Sequence, residues 1–403
     1  MSTRPLRSVL EEGGGSIKTG PFGTVLSAAE YSDDGVPLIS VGEIGYGEIR
    51  LRSTTPRIGN ETLSRLPDYI LQAGDIVVGR KGGVDRSALI RDAEAGWFLG
   101  SDGIRVRFGP NVDAAFMAYY LLTPNVREWL LRHAGGSTLK SLNEPTLGAV
   151  PVRAPQIGEQ RAIAEVLGAL DDKIVANARM HEIADELATA LWRRISSMSE
   201  TSHLTYAQVA EIGGGGTPST REPSFWGGNV RWASPTDITA LGAPYLDRTS
   251  KGLTAEGLAA CSSALYPARS VLMTSRATIG SFAMAMEPTA VNQGFIVARA
   301  REPLGTWWLF HEMRSRVADY VSHANGATFL ELPRGRFKGL EVRWPGDEAL
   351  TKFDAQAQPL HARAYSAMVE NRKLAELRDA LLPELMSGRL RVKDAEKSVE
   401  EVV

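Results

Sequence analysis

Two stretches of the chain carry the same heptad seam in the same register. Between Pro155 and Met198 there is no proline, and glycine stands only at 158 and 168. Within that stretch Ile163, Leu167, Leu170, Ile174, Asn177, His181, Ala184, Ala188, Leu191 and Ile195 step alternately by four and three. Adding 190 to each number gives Phe353, Ala357, Leu360, Ala364, Ala367, Asn371, Leu374, Arg378, Leu381 and Leu385. An apolar period of 3.5 residues gives a helix one adhesive edge. Each helix would run roughly 35–40 residues, about 55 Å at 1.5 Å per residue. A helix of that kind is not stable alone in water. The seams are therefore predicted to pack on each other, antiparallel, as a rod between two globular blocks. The simpler alternative is two core helices of ordinary domains. The polar seam members Asn177, His181, Asn371 and Arg378 suit residues that fix register at a cost in stability. Pro359 and Pro383 are expected to kink the second helix near its two ends. Ser387-Gly388 reads as its stop, with a charged, frayed tail beyond.

The globular blocks repeat as well. Gly74-Asp75-Ile76-Val77-Val78-Gly79-Arg80 is echoed by Arg269-Ser270-Val271-Leu272-Met273-Thr274-Ser275-Arg276. Ser101-Asp102-Gly103-Ile104-Arg105-Val106 is echoed by Asn292-Gln293-Gly294-Phe295-Ile296-Val297. Gly136-Ser137-Thr138 and Val150-Pro151-Val152-Arg153 return as Gly326-Ala327-Thr328 and Leu340-Glu341-Val342-Arg343. Short β-branched runs between glycine and proline read as strands and turns. Helical stretches, 114–132 and 306–322, lie between them. The fold class is thus α+β: two globular domains in a tandem pseudo-two-fold repeat, separated by two long antiparallel helices that form a coiled-coil-like spacer. The expected divisions are 1–155, 156–199, 200–344, 345–390 and a flexible charged tail, 391–403. Loops diverge between the copies while the frame does not, so the copies share a scaffold and touch different things.

Charge excludes a simple basic nucleic-acid binder, since the formal net charge is −2. One cysteine, Cys261, rules out an internal disulfide and reads as a buried small residue. The longest apolar run, 114–122, is far short of a membrane span, so the expectation is a cytoplasmic protein with no membrane partner.

The matching pieces resemble one family. Pro155-Gln156-Ile157-Gly158-Glu159-Gln160-Arg161-Ala162-Ile163 resembles the start of the central helix in specificity subunits of Type I restriction-modification systems. Gly215-Gly216-Thr217-Pro218-Ser219, Phe225-Trp226-Gly227-Gly228 and Val230-Arg231-Trp232 resemble the opening of that family's recognition domains. Ser275-Arg276-Ala277-Thr278-Ile279-Gly280 and Asn292-Gln293-Gly294 resemble its mid-domain signatures, and the run from Leu374 to Gly388 its C-terminal helix ending. The first domain departs from the pattern, opening on Gly13-Gly14-Gly15-Ser16-Ile17-Lys18-Thr19-Gly20-Pro21-Phe22-Gly23. The resemblance implies a non-catalytic subunit whose two target-recognition domains each read half of a split site in double-stranded DNA. The helices would set the gap between the halves. Two copies of an adenine methyltransferase subunit and a restriction/translocase subunit would be the protein partners. A recognition subunit of another modification system, or an adaptor that joins two proteins without touching DNA, stays open beside it.

Motifs for chemistry are not found. There is no Pro-Pro dipeptide of the adenine methyltransferase kind, and Ile17 stands where a phosphate loop needs glycine before Lys18. The six histidines show no metal spacing. No catalytic residue, metal or cofactor is therefore assigned. Base edges and phosphates are read by Arg, Lys, Ser, Thr, Asn and Gln on loops. The candidates are Lys18, Thr19, Arg80, Lys81, Arg86 and Lys140 in the first domain. In the second they are Thr217, Ser219, Arg221, Ser275, Arg276, Arg334, Arg336 and Lys338. Each could equally be a solvated surface charge or half of an ion pair. Trp226 and Trp232 read as core residues.

Overall fold

The computed structural model describes residues 3–326 and 330–400. The chain forms two compact units, residues 1–174 with 372–403, and residues 175–371. The divisions at 174/175 and 371/372 fall inside the two long helices, so each unit's core takes in part of both.

In the first unit five strands lie in the order Ser16–Thr19, Gly103–Arg107, Ile76–Gly79, Ser87–Leu89, Tyr46–Gly47. Neighbours are antiparallel except for the last pair. In the central strand Ile76 and Val78 pack against helix residues Phe116, Met117 and Leu121. Val77 faces a second cluster with Ile39, Ala88 and Leu99. That is why the strand is apolar throughout and not alternating: both of its faces are covered. The second unit repeats the arrangement with Ala210–Gly213, Phe295–Ala300, Val271–Thr274, Phe282–Ala285 and Tyr245–Leu246. Val271 and Met273 face one cluster and Leu272 the other.

The long helices run Ile157–Met198 and Asp347–Ser387, 42 and 41 residues. None of the twenty seam positions is exposed. In the first unit Ile163, Leu167 and Leu170 share a cluster with Leu374, Leu381 and Leu385, and Ile174 packs on it. In the second, Ala184, Ala188's neighbour Trp192 and Ile195 share one with Phe353, Ala357 and Ala364, while Leu191 and Leu360 lie at its margin. Burying one such leucine contributes about 1.5–3 kcal/mol. Polar contacts show the antiparallel sense. In the first unit Arg153 donates to the Ser387 carbonyl, and Arg378 pairs with Asp171 at 2.7 Å. In the second, Asn177 donates to Glu370 at 3.0 Å. His181 is half-buried.

One pair of equivalent positions is built differently. In the first unit the Tyr119 hydroxyl donates to Asp171 at 2.6 Å. In the second, the matching residues are His311 and His361, whose Nε2 atoms lie 3.0 Å apart. His311 Nδ1 meets the Thr189 hydroxyl at 3.3 Å and His361 Nδ1 meets the Tyr245 hydroxyl at 2.8 Å. Both histidines are buried.

Further details follow from local sequence. The second long helix is continuous from Asp347 to Ser387, across both Pro359 and Pro383. Ala355, whose carbonyl loses its donor at Pro359, is exposed to water, as is Pro359 itself. Gly388 does end it, with φ +72° and its amide donating to Leu385. Within the described part of the tail, Val392–Glu400 form a helix with Ala395 fully buried and Val392 and Val399 packed on the first core; residues 401–403 lie outside the described residues. The spacing 392, 395, 399 is a narrow apolar stripe among charges. The helical stretches 114–132 and 306–322 each split in two, the first before Pro124, which opens its second helix. Cys261 is half-buried and its Sγ donates to the Gly216 carbonyl at 2.9 Å.

Candidate nucleic-acid interface

Backbone hydrogen bonds gather the loops at one end of each five-stranded sheet. In the first unit Gly20 donates to Gly103, Arg80 to Asp102, Leu142 to Arg80 and Gly82 to Lys140, all within 3.0 Å. Gly135 and Ser141 exchange two bonds. In the second unit Ser275 donates to Gly294, Leu332 to Ser275 and Ala277 to Leu330, while Asn325 and Glu331 exchange two bonds. Gly82 has φ +79° and its counterpart Ala277 φ +60°. Two unlike sequences thus hold the same frame, and the side chains on it are free to differ.

In the first unit the frame presents cations. The Arg80 guanidinium donates to the Ser101 carbonyl at 3.0 Å and lies 5.0 Å from the centre of the Phe22 ring. Lys81 is 3.8 Å from Asp102. Arg86 stands over Tyr46 at 5.9 Å. Lys140 is exposed and has no ion pair among the described residues. Lys18 and Thr19 are less available. Lys18 pairs with Asp68 at 2.7 Å and holds that carboxyl below its usual range. The Thr19 amide and hydroxyl both donate to Glu144 Oε1, at 2.7 and 2.8 Å.

In the second unit the helix Arg334–Gly339 takes the place of Glu144–Gly148. Phe337 is fully buried and pins it. Arg334, Arg336 and Lys338 are exposed and unpaired among the described residues. The same position is therefore acidic in one unit and triply basic in the other. Arg276 pairs with Glu331 at 2.8 Å, which raises the pKa of its guanidinium. Both partners are nearly half exposed, and pairs of that kind contribute about 0–1 kcal/mol. The Thr217 hydroxyl donates to Gln293 Oε1 at 2.6 Å. Ser219 and Arg221 are exposed, and the Ser219 carbonyl accepts from Trp226.

Ser275 is 3% exposed, with its backbone bonded to Gly294 and Leu332, so its hydroxyl is less available than its neighbours on the frame. Trp226 is half-buried, with Lys251 5.5 Å from its ring centre, whereas Trp232 is core. Sequence reasoning passed over Phe22, Leu139 and Gln293 on the same frame. A search for charge does not find an apolar side chain on a loop. Among the described residues there is no group of three or more His, Cys, Asp or Glu placed to hold a metal, and no helix is long and apolar enough to cross a membrane.

Comparison with known proteins agrees with this geometry. The sequence profile of a family described as Type I restriction modification DNA specificity domain matches residues 22–184 and again 199–359. The MjaIX specificity subunit of a Type I restriction enzyme from Methanocaldococcus jannaschii is 31% identical over 147 residues, 36% of this chain and 34% of that protein. This match therefore spans about a third of that relative's length. The HindI specificity subunit from Haemophilus influenzae is 20% identical over 355 residues, covering 68% of this chain and 77% of that one. A crystal structure of the Type-I restriction-modification system S subunit from M. genitalium shares the fold, with a TM-score of 0.62, 16% identity and 95% of each chain covered.

Proposed function

Because the chain belongs to the Type I restriction modification DNA specificity family, twice over and across most of its length, we propose that it is the non-catalytic reader of an asymmetric, bipartite site in double-stranded DNA. Each unit reads one half-site through the loop frame at the end of its five-stranded sheet. The observation that carries this is one backbone frame presenting Arg80, Lys81 and Lys140 in one unit and Arg276, Arg334, Arg336 and Lys338 in the other. Two equal scaffolds with unlike side chains recognise two unlike sequences. Arginine and lysine there supply phosphate neutralisation and, where an arginine meets guanine, bidentate readout.

The long helices set the unread gap, since half-site separation follows from the spacing between readers. The repeat offers related surfaces to two copies of an adenine methyltransferase subunit. A translocase-nuclease subunit joins for restriction. Those partners carry the chemistry: the methyltransferase extrudes the adenine from the duplex, and the chain's part is to hold the duplex in register.

The test is to express the chain with its neighbouring methyltransferase subunit and sequence host DNA for N6-methyladenine. A split motif with a fixed gap, methylated when both proteins are present, supports the proposal. A stable complex with no methylated motif favours an adaptor that joins proteins without reading DNA.

A further inference from the structure

The two most exposed large apolar side chains described in the first unit are Phe22 at 59% and Leu139 at 58%. Single exposed leucines are ordinary on protein surfaces. These two stand on the same frame as the unit's cations. Phe22 lies under the Arg80 guanidinium. Leu139 reaches to Gly82, next to Lys81, and is followed by exposed Lys140.

The loop holding Leu139 is not slack. Its base is closed by the two Gly135–Ser141 bonds, at 2.9 and 2.7 Å, and tied to its neighbour by the bond from Gly82 to Lys140. Gly136 turns it at φ +90°, where a Cβ would fall 2.3 Å from the Leu139 carbonyl. A pinned loop holds this leucine out in water among cations, where a partner that supplies negative charge and an apolar surface together would bury it. Duplex DNA does so at its stacked bases, and proteins that bend it insert leucine or phenylalanine between base steps.

We infer that Leu139 is an apolar wedge: it enters a base step in the half-site bound by the first unit and loosens its stacking, with Phe22 and Arg80 flanking it. The inference rests on the reading of this unit as a DNA binder. The wedge would make specificity depend on how readily a step opens, which pyrimidine–purine steps do most easily, in addition to direct contacts.

The experiment uses the full chain in complex with its methyltransferase subunit, without S-adenosylmethionine. The probes are duplexes bearing the methylated motif, with 2-aminopurine placed in turn along the first unit's half-site and flank. The wild type is expected to raise fluorescence at one step distinct from the methylated adenine. Leu139→Ala should abolish that rise and weaken site-specific binding on the order of tenfold. Leu139→Lys should also abolish it despite the added charge, and Leu139→Met should retain it. Equal fluorescence and affinity for wild type and Leu139→Ala would overturn the wedge while leaving the DNA reading intact. Loss of methyltransferase subunit from the Leu139→Ala complex, with DNA behaviour of the remainder unchanged, would overturn it in favour of a protein contact. Failure of the wild-type complex to prefer the motif would sink the underlying reading first.

Discussion

Acid should weaken the second unit through its buried histidine pair. Burial keeps His361 neutral and pushes its pKa down to about 3, with Asp185 opposing and Arg314 assisting. His311 is likewise driven well below its usual value, by burial first and then by the charges of His361 and Arg314. The folded unit thus prefers neutral rings, and the unfolded chain binds protons near pH 6.5. The stability is fully present above 6.5 and is lost as pH falls from there toward 3. A group that titrates at 6.5 unfolded and at about 3 folded favours unfolding at pH 5 by about 2 kcal/mol. His311 adds in the same direction. Urea unfolding followed by tryptophan fluorescence is the assay. Trp192, Trp226, Trp232, Trp307, Trp308 and Trp344 all lie in the second unit, and His361 stacks on Trp307 at 3.7 Å. Carboxylates common to both proteins cancel when wild type is compared with His361→Gln. The variant should show a smaller fall in stability between pH 7.5 and pH 5, by about 2 kcal/mol. An identical fall in both proteins would refute the reasoning. The first unit, clamped by Tyr119, Asp171 and Arg378, has no histidine at these positions.

Three further outcomes are expected. Asp171→Ala strands the Tyr119 hydroxyl and removes one carboxylate from Arg378, and should cost the first unit about 1–3 kcal/mol by calorimetry; no change would mean water replaces the carboxylate freely. Ala277→Gly relieves a left-handed backbone that the first unit fills with Gly82, and should stabilise the second unit by up to about 1 kcal/mol, visible as a raised urea midpoint. Arg336→Ala should weaken DNA binding of the complex at all sequences alike and reduce the salt slope by about 1 if the residue meets a phosphate; loss of preference at one base position would instead make it a base reader.

The heptad seam was legible because burial on a helix has a period that few other arrangements share. All its members lie buried or half-buried, polar Asn177 and Arg378 included, and those two hold partners across the helix pair. The strand frame was legible from its punctuation, with Gly82 turning where a left-handed backbone is needed. What the sequence hid depends on contacts distant along the chain. Ser275 looked like a loop serine, yet the bonds to Gly294 and Leu332 draw it under the surface. Lys18 and Thr19 looked free until Asp68 and Glu144 met them from 50 and 125 residues away. The helix Val392–Glu400 was obscured because four charges surround one buried alanine.

The central claim is that each unit reads its own half-site. It is tested most directly by sequencing N6-methyladenine in host DNA carrying the methyltransferase subunit with either the wild-type chain or the Arg334→Ala/Arg336→Ala/Lys338→Ala variant. The account expects a two-part motif from the wild type, and from the variant a motif degraded in one half, with the other half and the gap unchanged. Both halves degrading together, or a single contiguous motif, would contradict it.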